Sequence, residues 1–147
     1  MPLLDKVYAS FFSLELDGLT IAFFTGCSGL NLEFDVATFK QNDGKKMMTV
    51  KIPGKAKYSE VVMKRGYSAD MVVHKWFDDV VEAKDNQKKF VKTGAIVLFS
   101  REMTEVARFS LSNCWPSKLS VTDLNAGSSE VLVEELTIQH EMIDWVK

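Results

Sequence analysis

Apolar residues recur at every second position over most of this chain, and that period constrains the fold more than any other feature. Leu30, Leu32, Phe34 and Val36 take one side of an extended segment, while Asn31, Glu33 and Asp35 take the other. This is the period of a β-strand with two unlike faces. The same alternation runs through Phe12, Leu14 and Leu16. Asp17-Gly18 then supplies the pair that tolerates the positive φ angles of a tight hairpin turn. A strand at 19–25 follows at once, with Ile21 and Phe23 on one side and Ala22 and Phe24 on the other. Segments 10–17, 19–25 and 30–36 therefore read as a three-stranded meander. Further strands are expected at 59–65, closed by Gly66, at 95–99, and at 106–113 with Ala107, Phe109 and Leu111 in phase. Residues 101–104 make the turn between the last two.

The period changes once. Val73, Trp76, Phe77 and Val80 recur at helical spacing, with Asp70, Lys75, Asp78 and Asp79 elsewhere around the wheel. Ser68 is a suitable N-cap, and Asp70 suits the positive end of the helix dipole. A helix is expected at about 69–84. Some eight strands and one helix, with no repeats or linkers, imply one mainly β domain over 1–147. The expected fold is an antiparallel two-sheet, barrel-like sandwich flanked by the helix.

Two stretches depart from regularity. Residues 40–58 hold a polar turn around Gly44, a short strand at 47–52, and Pro53-Gly54, a pair suited to a type II turn. They read as a projecting loop or hairpin, and loops of this length in compact domains are usually functional. The closing strand, 129–142, starts with Val131 and Val133 in phase. Leu136 and Ile138 then take the opposite phase after Glu134-Glu135. A β-bulge at the two glutamates would reset the count.

Composition excludes several classes. With 46% hydrophobic and 26% charged residues among 147, the chain has an ordinary globular make-up. A net charge of −2 argues against a dedicated nucleic-acid binder. No apolar run reaches the ~20 residues of a membrane span, and the start lacks the pattern of a signal peptide. Synthesis and folding in the cytoplasm are expected. Cys27 and Cys114 lack metal spacing and read as two buried reduced thiols.

Catalytic and metal motifs do not emerge. His74 and His140 have no Cys or carboxylate at ligand spacing. The glycines of Gly26-Cys-Ser-Gly29 do not form a phosphate loop, and no nucleophile elbow occurs. Glu134 and Glu135 point to opposite faces of a strand, so they would not share a site. What stands out instead is an excess of apolar faces. Phe11-Phe12, Phe23-Phe24 and 95–99 are apolar on both sides, and one helix covers only part of that area. Either the core is thick, or neighbouring subunits cover one face.

Three segments carry a specific likeness: "FSLELDGLTIAFFTGCSGLNLEFDV" at 12–36, "KIPGKAKYSEVVMKRG" at 51–66 and "NCWPSKLSVTDLNAGSSEVLVEELTIQHE" at 113–141. In order, they hold a strand ending in Asp-Gly, a Ser-Gly-Leu turn, and Pro-Gly-x-x-x-Tyr followed by Lys-Arg-Gly. A Trp-Pro pair, Asn-Ala-x-Ser-Glu and a terminal His-Glu follow. The chain resembles the tail tube proteins of contractile phage tails and contractile injection systems, across nearly its whole length. Cys27 departs from the family's pattern.

The resemblance implies a non-enzymatic structural subunit without cofactors. Six copies would form a ring, with one sheet of each joining an inner barrel around a lumen, and rings would stack into a rigid tube. A contracting sheath would drive that tube through a target envelope, with cargo protein or DNA in the lumen. The implied partners are further copies of the chain, the sheath, the baseplate hub and a tube-terminating cap, with no membrane insertion by this chain. The projecting segment would grip an adjacent ring through Asn42, Asp43, Gly44, Lys45, Lys46, Pro53, Gly54, Lys55, Lys57 and Tyr58. Ser13, Glu15, Asn31, Glu33 and Asp35 are lumen-facing candidates, where an acidic lining would discourage acidic cargo from sticking. Trp115, Pro116, Asn125, Glu130, Glu134 and His140 belong to the fold and assembly motif. A baseplate-proximal tube initiator, a secreted ring protein of the type VI kind and a monomeric ligand-binding barrel are the alternatives.

Overall fold

One strand belongs to both layers of this protein, and the architecture follows from it. The computed structural model describes residues 9–42, 44–67, 71–83, 90–121 and 132–146. The elements are β1 (Phe11–Leu16), β2 (Leu19–Phe24), β3 (Gly26–Ser28), β4 (Leu32–Asn42), β5 (Met47–Tyr58) and β6 (Val61–Gly66). Then come α1 (Val72–Glu82), β7 (Lys92–Phe99), β8 (Glu105–Val121), β9 (Val133–Gln139) and β10 (Met142–Trp145). Strands run in the order β2-β1-β7-β8-β9-β6-β3, with β10 also on β8, and among the described residues β4 pairs only with β5. The first part of β8 pairs with β7 and β10, and the part from Trp115 onward pairs with β9.

The passage between the layers falls at Asn113–Ser117. Asn113 has φ +49°, a conformation Asn tolerates better than most residues. Its side-chain amide donates to Glu141 at 2.7 Å. The pairing with β9 slips between Pro116 and Lys118, leaving an extra residue on β8. A bulge of this kind bends a strand. Pro116 is fully buried there.

The core lies between the two layers. Leu14, Ala22, Phe24, Ile96 and Leu111 come from one layer, and Val61, Met63, Leu136 and Ile138 from the other. Val73 and Trp76 of α1 join the same cluster, as their helical spacing predicts. The Trp76 indole N–H donates to the Phe90 carbonyl at 2.7 Å, so the ring is buried without an orphaned donor. Two helix signals, Ser68 and Asp70, lie outside the described residues.

The Asp17-Gly18 hairpin forms as its sequence requires, with φ +52° and +85°. The three-stranded meander does not form. β3 leaves the hairpin to pair with β6, and the alternating segment beyond it runs outward as β4. Pro53-Gly54 makes no turn either, because it sits inside β5 at an irregularity opposite Asp35. A Cβ on Gly54 would meet the Asp35 carbonyl oxygen at 2.9 Å, so this glycine serves close backbone approach. The closing segment is two strands, β9 and β10, separated by His140-Glu141.

The bulge expected at Glu134-Glu135 is absent. β9 pairs with β6 in unbroken register from Val61↔Ile138 to Gly66↔Val133. Glu134 occupies the core-facing phase with Leu136 and Ile138, and only 1% of its surface is exposed. Its Oε2 accepts from Arg65 Nε at 2.8 Å, and Arg65 lies 5.3 Å above the centre of the Phe24 ring. His74 of α1 brings Nε2 to 3.6 Å from the other carboxylate oxygen. The charge at a core position is thus paired rather than excluded.

Two predictions follow from this packing. Glu134→Ala leaves the Arg65 guanidinium buried and unpaired, at a cost of about 3–5 kcal/mol in denaturant unfolding. An apolar pair, Arg65→Met with Glu134→Leu, should recover most of it. Both cysteines are free; Cys114 is buried as expected, Cys27 only half-buried, and burial raises each thiol to about 12. The stability they lend is full below an unfolded-state value of about 9 and falls as pH rises toward 12. Iodoacetamide labelling at pH 8 should therefore be on the order of 100-fold slower or more in the native chain than in denaturant. Rapid native labelling, read by mass spectrometry, would refute this packing.

Candidate assembly surface

A long exposed feature is the β4–β5 ribbon, an arm whose strands pair from Leu32↔Tyr58 out to Asn42↔Met47. Every residue of β4 is exposed, Phe34, Val36 and Phe39 included. A two-stranded ribbon in water is marginal at best. At its tip the Gly44 N–H donates to the Asn42 side-chain oxygen at 2.8 Å, with Gly44 at φ +91°. Lys45, Lys46 and Lys55 are exposed on the arm. Lys57 meets Asp35 at 2.7 Å, and that hydrogen bond holds its ammonium above the usual lysine range. Asp43 lies outside the described residues.

The root of the arm is fixed by the His-Glu pair. His140 Nε2 lies 2.8 Å from the Ser59 carbonyl oxygen, and its ring meets Tyr58 edge-on at 5.9 Å. Glu141 holds Asn113 at the bend of β8. Trp115 stands half out of the same bend, edge-on to Phe90 at 6.5 Å. Asn125 and Glu130 lie outside the described residues.

A second exposed surface lies on the outer side of β2-β1-β7. Phe11, Leu19 and Phe23 are exposed, and Phe23 packs on Phe99 at 6.0 Å. Between them Ser13 is fully buried, flanked in register by Phe23 and Val97. Glu15 accepts from Arg108 at 2.6 Å, and Arg108 also binds Glu105 at 2.7 Å. Asn31, Glu33 and Asp35 are exposed, but at the foot of the arm rather than on this sheet. The structure thus separates the five lumen candidates into two groups. β2 and β10 are edges of this layer with no further strand beside them among the described residues.

Sequence reading missed Arg65 and Arg108, because an ion pair between distant strands leaves no local pattern. It also missed Phe39 and Val36 as arm surface. The signal was present: the apolar phase of β4 changes between Val36 and Ala37. Among the described residues no His, Cys, Asp and Glu group is arranged to hold a metal, and no helix is long and apolar enough to cross a membrane.

Solved structures share this fold. A chain of the PVC sheath-tube complex, an extracellular contractile injection system in its extended state, superposes with a TM-score of 0.78 at 18% identity. The match covers 97% of this chain and 93% of that one. A chain of the anti-feeding prophage tube-terminating cap gives 0.79 at 20% identity, covering 99% and 93%. Hcp1 from Flavobacterium johnsoniae is more distant, at 0.51 and 14%, covering 92% and 94%. No curated protein sequence matches the chain. The family described as T4-like virus tail tube protein gp19 matches residues 9–144. An open sheet with free edges, an exposed apolar ribbon and that match over almost the whole chain lead to one conclusion: the protein belongs to the T4-like tail tube family.

Proposed function

We propose that this chain is the repeating subunit of the inner tube of a contractile phage tail or injection system. Copies join edge to edge into six-membered rings, rings stack into a rigid hollow tube, and sheath contraction drives the tube through an envelope. The subunit acts by assembly, not catalysis. Its partners are other copies, a sheath, a baseplate hub and a terminating cap, and the lumen holds cargo protein or DNA. It is made and assembled in the cytoplasm and ends in a tail or tail-like particle.

The arm carries this reading. An exposed ribbon with Phe34, Val36, Phe39 and Ile52 on its surface is unstable in water unless another body covers it. The open edges at β2 and β10 fit ring closure by a repeated head-to-tail contact. A monomeric ligand-binding barrel needs a closed wall, and the strand path here is open. Charge fits as well. The segment 32–58 carries six lysines against three carboxylates, so a chain of net −2 leaves −5 on the rest. A basic arm and an acidic body attract each other, and a tube repeats such individually weak contacts many times.

Negative-stain electron microscopy of the purified chain should show rings or tubes with a central channel. Replacing residues 37–52 by a short Gly-Ser turn should abolish stacking, while the subunit keeps its unfolding free energy to within about 0.5 kcal/mol. A strict monomer from the unaltered chain would favour the tube-initiator reading. For the lumen, Glu33→Lys with Asp35→Lys should leave tubes intact and change cargo loading. Intact tubes with unchanged loading would remove these two residues from the channel wall.

A further inference from the structure

The buried pair of Arg65 and Glu134 makes only half of the contact its groups allow. A guanidinium carries two parallel N–H bonds along one edge, at Nε and Nη2, and they match the two oxygens of a carboxylate. Arg65 Nε donates to Glu134 Oε2 at 2.8 Å. The second bond of that fork is not made. Arg65 Nη2 and Glu134 Oε1 are both buried, and neither has a hydrogen-bond partner. Oε1 is turned toward α1 instead, where His74 Nε2 stands at 3.6 Å. That separation is too long for a hydrogen bond. His74 Nδ1 is buried and unpartnered as well. Side chains of β6, β9 and α1 thus bring orphaned polar atoms into one cluster. The other orphaned side-chain atoms among the described residues, Ser13 Oγ and His140 Nδ1, belong to no such group.

We infer that this cluster binds one ordered water, which completes the fork and ties α1 to the layer of β6 and β9. The water accepts from Arg65 Nη2 and donates one proton to Glu134 Oε1. Its remaining proton or lone pair serves His74 Nε2, whichever tautomer the ring takes. A polar contact just beyond bonding distance is the usual mark of a bridging water, and buried waters hold about three polar partners each. Charge selects the guest. An anion would be repelled by Glu134 and a cation by Arg65, so the guest is neutral and both donates and accepts. Size selects it too, because the Phe24 ring covers the guanidinium at 5.3 Å and Val73 and Trp76 fill the core beside His74. The His74 side chain is 26% exposed, which gives the water a way in from solvent. Nothing in this site depends on tube assembly. The competing arrangement is a direct two-bond pair: a turn of the carboxylate would bring Oε1 to Nη2, exclude the water and leave His74 facing solvent.

A density map of the purified chain that shows ordered water, from crystals or from tubes, tests this. A peak should lie about 2.7–3.2 Å from Arg65 Nη2 and about 2.5–3.0 Å from Glu134 Oε1. In Arg65→Met with Glu134→Leu that peak should vanish while other buried peaks remain. If the doubly substituted chain does not fold, the map of the unaltered chain decides by itself. No peak there, with both carboxylate oxygens bonded directly to Arg65, would overturn the water. A peak that persists in the doubly substituted chain would also overturn it, since the pair would not be what holds the guest. Crystals grown in bromide distinguish the remaining occupant: an anomalous bromide signal at the site would make the guest an anion and sink the proposal, and its absence from an observed peak would support water.

Discussion

Everything in this structure depends on β8 serving two layers. A strand of this length cannot stay straight and close a core on both sides, so it bends where Asn113 takes a positive φ and an extra residue is inserted beside Pro116. The first part holds β7 and β10, and the second holds β9. The core fills the angle between them, and α1 closes its side. The Trp-Pro and His-Glu pairs meet at this bend. Pro116 is buried within it, Glu141 steadies Asn113, and His140 reaches across to the root of the arm. One feature of the backbone thus sets the relation between the layers and the place from which the arm departs.

The buried ion pair is the second element of this design. Arg65 and Glu134 join neighbouring strands of one layer at a core-facing position, where two apolar residues would pack as well or better. A buried charge pair is weak evidence for stability, but it is intolerant of any register in which its partners separate. Sliding β9 by one residue would bring Glu135 to the core and Glu134 to the surface. Leu136 and Ile138 would leave the core with it, so the apolar residues of β9 set the register and the ion pair fits into it.

Outside the core, the chain leaves much of its apolar surface uncovered. The outer side of β2-β1-β7 and both faces of the arm hold exposed aromatics that a monomer gains nothing by displaying. Subunits of a repeating assembly are built this way, because the surface that one copy exposes is the surface the next one buries. Of the arm, Tyr58 at its root packs against the core, and a two-stranded ribbon is marginal by itself in water.

The sequence by itself determined the strand-rich class, the β1–β2 hairpin, the helix at Val73–Val80 and the tube family, because each rests on local period, turn chemistry or ordered motifs. It also marked the surplus of apolar faces that signals assembly. It misplaced β4, since Leu32, Phe34 and Val36 alternate in the same way whether their apolar side meets a core or a neighbouring molecule. It misread Glu134, since a carboxylate at a core position makes sense only beside Arg65, 69 residues away in the chain. The tertiary structure alone decided that β8 is shared between layers, that Glu15 is tied to Arg108 and that the arm stands clear of the body. These are relations between distant residues, and an alternation pattern records which residues share a face but not what that face meets.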